Sequence, residues 1–279
     1  MSIQRDDSYS ERRAHLLARL EDLSPLAVAF SGGVDSSVLS HAAFSVLGEQ
    51  ARAVIADSAS LPRRELVAAR KTAEGIGIEL VELKTLEQAN PDYQANRGDR
   101  CYFCKAALFE ALDLWRKGHG IPFVALGEIA DDALDDRPGQ RAAREHGVHA
   151  PLAEAGFTKQ DVRRYAREAG LQVADKPASA CLASRIPVGT RVSSEALAQV
   201  EKAEDALHDL GIRVLRVRHH GTHARVELGA EDRIMVKGKA EALARALRGA
   251  GFETHELAPY LSPFERATTT DAVTVLGID

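Results

Sequence analysis

The chain has 279 residues, of which 45% are hydrophobic and 28% charged, the balance of a globular protein with a buried core. Its formal net charge of −5 argues against a long nucleic-acid-binding surface. No apolar stretch approaches the roughly 20 residues that span a bilayer, and the polar segment Met1–Arg13 does not resemble a signal peptide. We therefore expect a cytoplasmic protein of one large or two ordinary domains, with no membrane and no nucleic-acid partner.

Short apolar runs alternate with helical patterns through residues 1–180, which is typical of a parallel α/β sheet. The predicted strands cover 26–30, 51–56, 78–83 and 122–126. The predicted helices cover 36–47, 62–74, 105–117 and 158–170. The fold class predicted for this first domain is α/β.

The pattern changes after a segment rich in proline and glycine at 176–191, which we interpret as the connection between domains. Two strands of period two, 214–218 and 224–228, flank His220-Gly221-Thr222 and predict a hairpin. Helices are predicted at 193–210 and 231–248, and a further strand at 252–257. Residues 181–279 are therefore expected to form a smaller α+β domain with one solvent-facing sheet surface, suited to binding substrate or to contacts within a homo-oligomer.

The loop Ser31-Gly32-Gly33-Val34-Asp35-Ser36-Ser37 follows the first predicted strand and opens a helix. Open α/β sheets bind ligands at this position. Glycines allow close approach to an anion, and the free N–H groups of a helix N-terminus favour phosphate. The loop is neither a Walker A loop, which needs lysine before its Ser/Thr, nor GxGxxG. The alternative is a Gly-Ser turn that caps a helix without a ligand.

The loop resembles the PP-loop of the ATP pyrophosphatases, which cleave ATP between the α and β phosphates and adenylate an oxygen of the substrate. This resemblance implies that all seven residues bind ATP and that Asp35 is catalytic, as a Mg²⁺ ligand through the pyrophosphate. By the same analogy Glu128 is a second Mg²⁺ ligand. Asp57 and Ser58, at the end of the second strand, fall where such folds contact adenosine. A simple strand-end turn cap is the alternative for Asp57.

Three cysteines, in a chain expected to be cytoplasmic, favour catalysis or metal binding over disulfides. Cys101 and Cys104 form a CxxC motif flanked by Arg100 and Lys105, and Cys181 lies far along the chain. Three interpretations stay open. In the first, the three thiols have no common role. In the second they bind zinc, for which a fourth ligand is missing. In the third they hold a [4Fe–4S] cluster with one open iron.

Further motifs resemble the LarE family, the ATP-dependent sulfur transferases of nickel-pincer nucleotide synthesis. Together with the loop and the CxxC motif, the segments that carry this resemblance are Gly127–Asp132, Arg137–Glu145, Pro151-Leu152, the helix start at Thr158 and Asp175–Pro187. The resemblance covers roughly residues 10 to 260. No single motif decides it, but the ordered set is specific.

The family's reaction adenylates the carboxylates of pyridinium-3,5-dicarboxylate mononucleotide, a small nucleotide, and converts them to thiocarboxylates. In the family the cysteine that matches Cys181 donates sulfur and becomes dehydroalanine, so each protein acts once. Members with the additional CxxC are instead thought to transfer sulfur through a [4Fe–4S] cluster. Because this chain carries Cys101 and Cys104, the resemblance favours the cluster.

The substrate of the family also carries a phosphate, for which arginine offers planar, bidentate donors. Arg216 and Arg218 lie two residues apart on a strand and share one face. With Ser184 and Arg185 they are the predicted phosphate ligands, and Glu227 on the partner strand orients one arginine or meets the pyridinium charge. The alternative is an exposed, charge-paired sheet face.

Three other functions compete with this hypothesis. A tRNA thiolation enzyme also combines a PP-loop with cysteines, but the net charge of −5 and the lack of a long basic stretch oppose it. An amide ligase like NAD synthetase leaves Cys181 without a role. A non-catalytic adenine-nucleotide sensor predicts ATP binding without release of pyrophosphate.

Overall fold

Four parallel strands form the sheet at the centre of the first part of the chain. The structure, a computed structural model, describes residues 3–134, 138–177 and 180–261. The chain divides into two compact units, Met1–Ala180 and Cys181–Asp279. The strands of the first unit are β1 (Leu26–Ala29), β2 (Ala51–Asp57), β3 (Glu79–Lys84) and β4 (Phe123–Leu126), in the order β3-β2-β1-β4. All three pairings are parallel, which confirms the predicted α/β fold class.

The central strand β1 is buried on both faces, as parallel strands are when helices cover the sheet. Leu26 and Val28 point into one hydrophobic cluster. Ala27 and Ala29 point into a second cluster on the other face. A continuous apolar run at 26–30, rather than an alternating one, is the sequence signal of this environment.

Eight helices of the described residues surround this sheet. They are α1 (Ile3–Glu21), α2 (Val34–Leu47), α3 (Arg63–Ile76), α4 (Pro91–Ala95), α5 (Arg100–Gly118), α6 (Pro138–Glu145), α7 (Pro151–Glu154) and α8 (Lys159–Glu168). Short 3-10 turns cover Gly48–Gln50, Glu87–Ala89 and Ala130–Leu134. The sequence prediction omitted α1, α4, α6 and α7. Helix α1 is polar on most of its surface, but Leu16 and Leu20, four residues apart on one face, are fully buried.

Two helix starts differ from the prediction in ways that matter for the site. Helix α2 begins at Val34 rather than Ser36, so Asp35 lies in its first turn. Helix α5 begins at Arg100 rather than Lys105, so the CxxC motif lies within the helix and not before it. Asp99 occupies the N-cap position of α5, a residue type that commonly begins helices.

The second unit has a three-stranded sheet of order β5-β6-β7. Its elements are α9 (Ser194–Asp209), β5 (Leu215–His220), β6 (His223–Leu228), α10 (Ala230–Met235), α11 (Ala240–Gly249) and β7 (Thr254–Pro259). The antiparallel pair β5 and β6 confirms the predicted hairpin, and β7 adds parallel to β6. The single helix predicted at 231–248 is wrong, because a 3-10 turn at Val236–Lys239 interrupts it. Gly238 in that turn weakens helix propensity.

Within the segment predicted as a connection, 176–191, residues 181–186 pack into the second unit. The 3-10 turn Leu182–Arg185 lies within it, and Leu182, Ala183 and Ile186 are buried. The boundary between the compact units falls between Ala180 and Cys181. The small residues around Leu182–Arg185 therefore belong to a tight buried turn, whereas residues 188–191 are exposed. None of the helices in the described ranges combines the length and apolarity that crossing a membrane requires.

Candidate active site

The loop between β1 and α2, Ser31–Ser37, lies at the carboxyl end of the central strand. Strand order reverses between β1 and β4, the position at which open α/β sheets bind ligands. Gly32 has a φ of 69°, in the left-handed region, and a Cβ there would approach the Cβ of Ala69 at 3.0 Å. Only glycine combines this conformation with such close packing against α3.

The serine hydroxyls of the loop bind mainly to the loop itself. The Oγ atoms of Ser31 and Ser36 are 3.1 Å apart, and the backbone N–H of Ser31 donates to Ser36 Oγ at 3.2 Å. Ser37 is fully buried, and its hydroxyl donates to the Gly33 carbonyl at 2.8 Å. The structure therefore places Ser37 as a support of the loop, and leaves the N–H groups at the start of α2 as donors for an anion.

Asp35 is held by a lysine that sequence reasoning missed. Lys159, the first residue of α8, places its Nζ 2.7 and 2.8 Å from the two carboxylate oxygens of Asp35. A second lysine that the prediction missed, Lys176, donates to the Gly32 carbonyl at 3.1 Å and to Glu65 Oε2 at 2.6 Å. Two ammonium groups of the first unit thus contact the loop or its acidic residue.

Glu128 follows the carboxyl end of β4, beside the strand that leads into the loop. It is half-buried and accepts a hydrogen bond from Gln140 Nε2 at 3.0 Å. Burial, reinforced by the charge of Asp132, raises the pKa of the Glu128 carboxyl above its usual value. Carboxylate oxygens of this kind are the ligands that Mg²⁺ prefers.

At the end of β2, Asp57 and Ser58 are both engaged by Arg63. Arg63 Nη1 donates to Asp57 Oδ1 at 2.5 Å, and Nη2 donates to the Ser58 carbonyl at 2.8 Å. Two residues further on, Ser60 is buried, and its hydroxyl forms a hydrogen bond with the hydroxyl of buried Tyr93 in α4. The loop predicted to contact adenosine is thus ordered by side chains from α3 and α4.

The two cysteines of the CxxC motif lie within the first five residues of α5. Residues three apart on a helix share a face, so Cys101 and Cys104 present their thiols to the same side. Cys101 is exposed and Cys104 half-buried. Within residues 3–134, 138–177 and 180–261, no three His, Cys, Asp or Glu side chains gather into a metal-binding group.

Cys181 belongs to the second unit, where its backbone is held by its neighbours. Its carbonyl accepts hydrogen bonds from Ser184 Oγ at 2.7 Å and from Arg185 Nη1 at 3.0 Å. Arg185 is only 2% exposed, and two of its nitrogens donate to the two carboxylate oxygens of Glu204, both at 2.9 Å. Glu204, which sequence reasoning missed, also accepts the Val217 N–H at 2.9 Å. Cys181 is therefore tied to the core of its unit through a buried ion pair.

The predicted arginine face is present on β5. Arg216 lies opposite Glu227 in the hairpin register, and Arg218 donates to Glu227 Oε2 at 2.9 Å and to the Ser184 carbonyl at 2.7 Å. Burial, followed by the nearby charge of Arg185, lowers the pKa of the Arg216 guanidinium below its usual value. A desolvated guanidinium beside other arginines gains from an anionic ligand.

Comparisons with known proteins identify the family to which the chain belongs. The family model described as asparagine synthase matches residues 15–95, which include β1, the loop Ser31–Ser37 and β2. A pyridinium-3,5-bisthiocarboxylic acid mononucleotide synthase of Lactiplantibacillus plantarum is 38% identical over 219 residues, 78% of this chain and 79% of that protein. The chain belongs to the LarE family.

Two further relatives have no described function. An uncharacterised protein of Synechocystis is 42% identical over 211 residues, 76% of this chain and 79% of that protein. An uncharacterised protein of Methanocaldococcus jannaschii is 25% identical over 235 residues, 82% of this chain and 86% of that protein. The resemblance drawn from the motifs is confirmed, and this LarE-family chain is an ATP-dependent sulfur-transferring enzyme with a PP-loop.

A glycine outside the loop packs closely against the start of α2. A Cβ on Gly127 would lie 2.7 Å from the backbone nitrogen of Ser36 and 2.9 Å from the carbonyl carbon of Asp35. Both contacts are with backbone, so no flexible side chain gives way. We expect Gly127→Ala to displace the start of α2, to weaken ATP binding at least about tenfold, and to destabilise the fold by about 1–3 kcal/mol. Calorimetric titration with ATP checks this result.

The matched control for this substitution is Gly75→Ala in α3. A Cβ on Gly75 meets nothing within 4 Å, and Gly75 lies inside a helix. This change is expected to leave ATP binding unaltered and to stabilise the chain by about 0.5–1 kcal/mol. Equal ATP affinity in the two variants would show that the close packing of Gly127 does not shape the loop.

Proposed function

We propose that this chain adenylates the carboxylates of pyridinium-3,5-dicarboxylate mononucleotide and converts them to thiocarboxylates for the nickel-pincer nucleotide. The observation that carries the proposal is the placement of Cys181. It lies in one compact unit with a cluster of desolvated arginines, in a chain that also has a PP-loop. The related synthase of Lactiplantibacillus plantarum is named for the corresponding dithio product, which supports the choice of substrate.

The first half-reaction takes place at the loop Ser31–Ser37. A carboxylate oxygen of the substrate attacks the α-phosphorus of ATP, the bond to the bridging oxygen breaks, and pyrophosphate leaves. The N–H groups at the start of α2 bind phosphate oxygens, and Asp57 and Ser58 contact the adenosine. The product is an acyl adenylate, in which AMP has become the leaving group that the carboxylate lacked.

Mg²⁺ fits the acidic residues at this edge of the sheet. Asp35 lies in the first turn of α2, and Glu128 follows Gly127, which packs against the same turn. Oxygen ligands from these two carboxylates would hold the ion, which supplies positive charge to the pyrophosphate as it leaves.

The second half-reaction belongs to Cys181. A sulfur nucleophile attacks the acyl carbon, and AMP leaves with its electron pair. In the sacrificial route the nucleophile is the Cys181 thiolate itself. Removal of its α-proton and cleavage of the Cβ–S bond then release thiocarboxylate and leave dehydroalanine. Arg185 and Ser184 hold the Cys181 carbonyl, so they position the thiol during attack.

A [4Fe–4S] cluster is our preferred sulfur carrier, because cysteine thiolates are its usual protein ligands. Cys101 and Cys104 are thiols on one face of a helix turn, and neither is in a disulfide. With Cys181 they would supply three soft ligands. When bound, the cluster would present an additional sulfur at its open iron, and Cys181 would not be consumed.

Arg216 and Arg218 are the proposed ligands of the substrate phosphate. The two guanidinium groups share one face of β5 and are the donors for an anion. The Ser184 carbonyl and the Glu227 carboxylate accept hydrogen bonds from Arg218 and orient it. We assign Arg185 a supporting role in this site, because its guanidinium is buried and bound by Glu204.

The test is a reaction under anaerobic conditions with ATP, Mg²⁺, the dicarboxylate mononucleotide, reconstituted cluster and sulfide. We expect pyrophosphate release and a thiocarboxylate product, identified by mass spectrometry. Unchanged substrate would refute the proposal. Thiolation of tRNA instead, with binding that weakens steeply as salt rises, would support the rival enzyme class. ATP binding without pyrophosphate release would indicate a nucleotide sensor.

A further inference from the structure

Two lysines reach the phosphate loop from another part of the first unit, and neither belongs to the site predicted from the sequence. The ammonium of Lys159 contacts both carboxylate oxygens of Asp35. The ammonium of Lys176 contacts the carbonyl of Gly32, the loop residue with positive φ, and the carboxylate of Glu65. Both ammonium groups therefore lie where the phosphates of a nucleotide would meet the loop.

The stability of the fold does not explain these ion pairs. The side chains of Lys159 and Asp35 are 43% and 28% exposed, and those of Lys176 and Glu65 are 20% and 25% exposed. Partly solvated pairs of this kind contribute at most about 1 kcal/mol.

The position of Lys159 is nevertheless set by several contacts. Thr158 and Asp161 form a reciprocal capping box at the start of α8, and Arg12 binds both oxygens of Asp161. The backbone N–H of Lys159 donates to Asp131 Oδ2 at 2.8 Å. Burial by itself would raise the pKa of the Asp161 carboxyl. The hydrogen bonds from Arg12 and Thr158 outweigh burial and hold this pKa below its usual value. The cap therefore keeps its charge at neutral pH, and the lysine beside it is directed at the loop.

These cations change the charge balance of the loop. The dipole of α2 contributes about half a positive charge at its N-terminus. Asp35, in the same turn, contributes a full negative charge, so the loop without lysines is net negative and repels a triphosphate. With the two ammonium groups and the carboxylate of Glu65 included, the sum becomes about half a positive charge.

We propose that Lys159 and Lys176 bind the β- and γ-phosphates of ATP, exchanging Asp35 and Glu65 for phosphate oxygens when the nucleotide arrives. This inference rests on the proposed adenylation by ATP. An ammonium has three N–H donors on a flexible stem, so it changes partners without a change in the backbone. The exchange also frees the oxygens of Asp35 for Mg²⁺.

The test compares two nucleotides by calorimetric titration in the presence of Mg²⁺: an ATP analogue with a methylene bridge between the α and β phosphorus atoms, and AMP. We expect Lys159→Met and Lys176→Met each to weaken the analogue about 10- to 100-fold, the loss expected for a charged hydrogen bond. AMP, which lacks the β- and γ-phosphates, should bind as it does to the wild-type chain. Lys159→Arg, which keeps the charge, should recover part of the affinity for the analogue.

Lys71→Met on the exposed face of α3 is the matched control and should change neither affinity. Unchanged affinity for the analogue would overturn the assignment of the lysine concerned. An equal loss for the analogue and AMP, accompanied by a lower melting temperature, would also overturn it, because it would show that the lysine only supports the loop. Failure of the wild-type chain to bind the analogue would refute the proposed adenylation itself, and with it this inference.

Discussion

Replacement of Cys181 by alanine is expected to abolish thiocarboxylate formation while adenylation continues. The hydrogen bonds that order this turn go to the carbonyl of Cys181 from Ser184 and Arg185, and not to its thiol. Alanine therefore keeps the turn and removes only the sulfur. We expect the initial burst of pyrophosphate release to stay within about twofold of the wild-type burst, while the thiocarboxylate product falls to background.

Single-turnover assays of pyrophosphate and product measure the two half-reactions separately. Loss of both activities in Cys181→Ala would mean that the residue is needed for the structure of the site and not for sulfur transfer. The intact mass of the wild-type chain after turnover then identifies the sulfur route. A loss of about 34 Da, the mass of hydrogen sulfide, would mean that a cysteine has become dehydroalanine.

Cys101→Ala and Cys104→Ala are the matching variants for the cluster route. Anaerobic wild-type protein with iron and sulfide is expected to be brown, and each substitution to bleach it. Product formation that continues at the wild-type rate in both variants would exclude the cluster and leave the sacrificial route. Neither thiol is engaged in a disulfide, so these substitutions break no covalent link.

Glu204→Ala is expected to lower the free energy of unfolding by about 3–5 kcal/mol, the cost of leaving a buried charge without its partner. The side chains of Arg185 and Glu204 are only 3% and 8% exposed, so water cannot replace the lost carboxylate. The substitution also removes the acceptor of the Val217 N–H on β5. Thermal and urea denaturation of the full chain measure the loss.

Hydrogen exchange at the Val217 amide localises this effect, because its protection is expected to fall in Glu204→Ala. Lys202→Ala is the control on the same helix, since Lys202 is exposed and its replacement should change stability by no more than about 0.5 kcal/mol. A melting temperature of Glu204→Ala equal to that of Lys202→Ala would show that the Arg185–Glu204 pair does not stabilise the second unit.

Much of the fold was predictable because its signals are local. The continuous apolar run at 26–30 predicted a strand buried on both faces, and Gly32 and Gly33 predicted the tight loop that follows. Alternation at period two predicted the β5–β6 hairpin. Errors arose where local signals were weak or misleading, as at α5. The predicted helix begins at Lys105, after the CxxC motif, although Asp99 is of a residue type that commonly precedes a helix.

The sequence by itself determined the α/β class, the phosphate loop and, through the ordered motifs, the LarE family. Each of these depends on residues that are neighbours in the chain. Only the tertiary structure decided that Lys159 and Lys176 reach the loop, that Gly127 packs against the start of α2, and that Glu204 binds Arg185. These contacts join residues far apart in the chain. Neither secondary-structure propensity nor residue spacing predicts which distant atoms a long side chain will contact. Their positions follow from the packing of whole helices and strands.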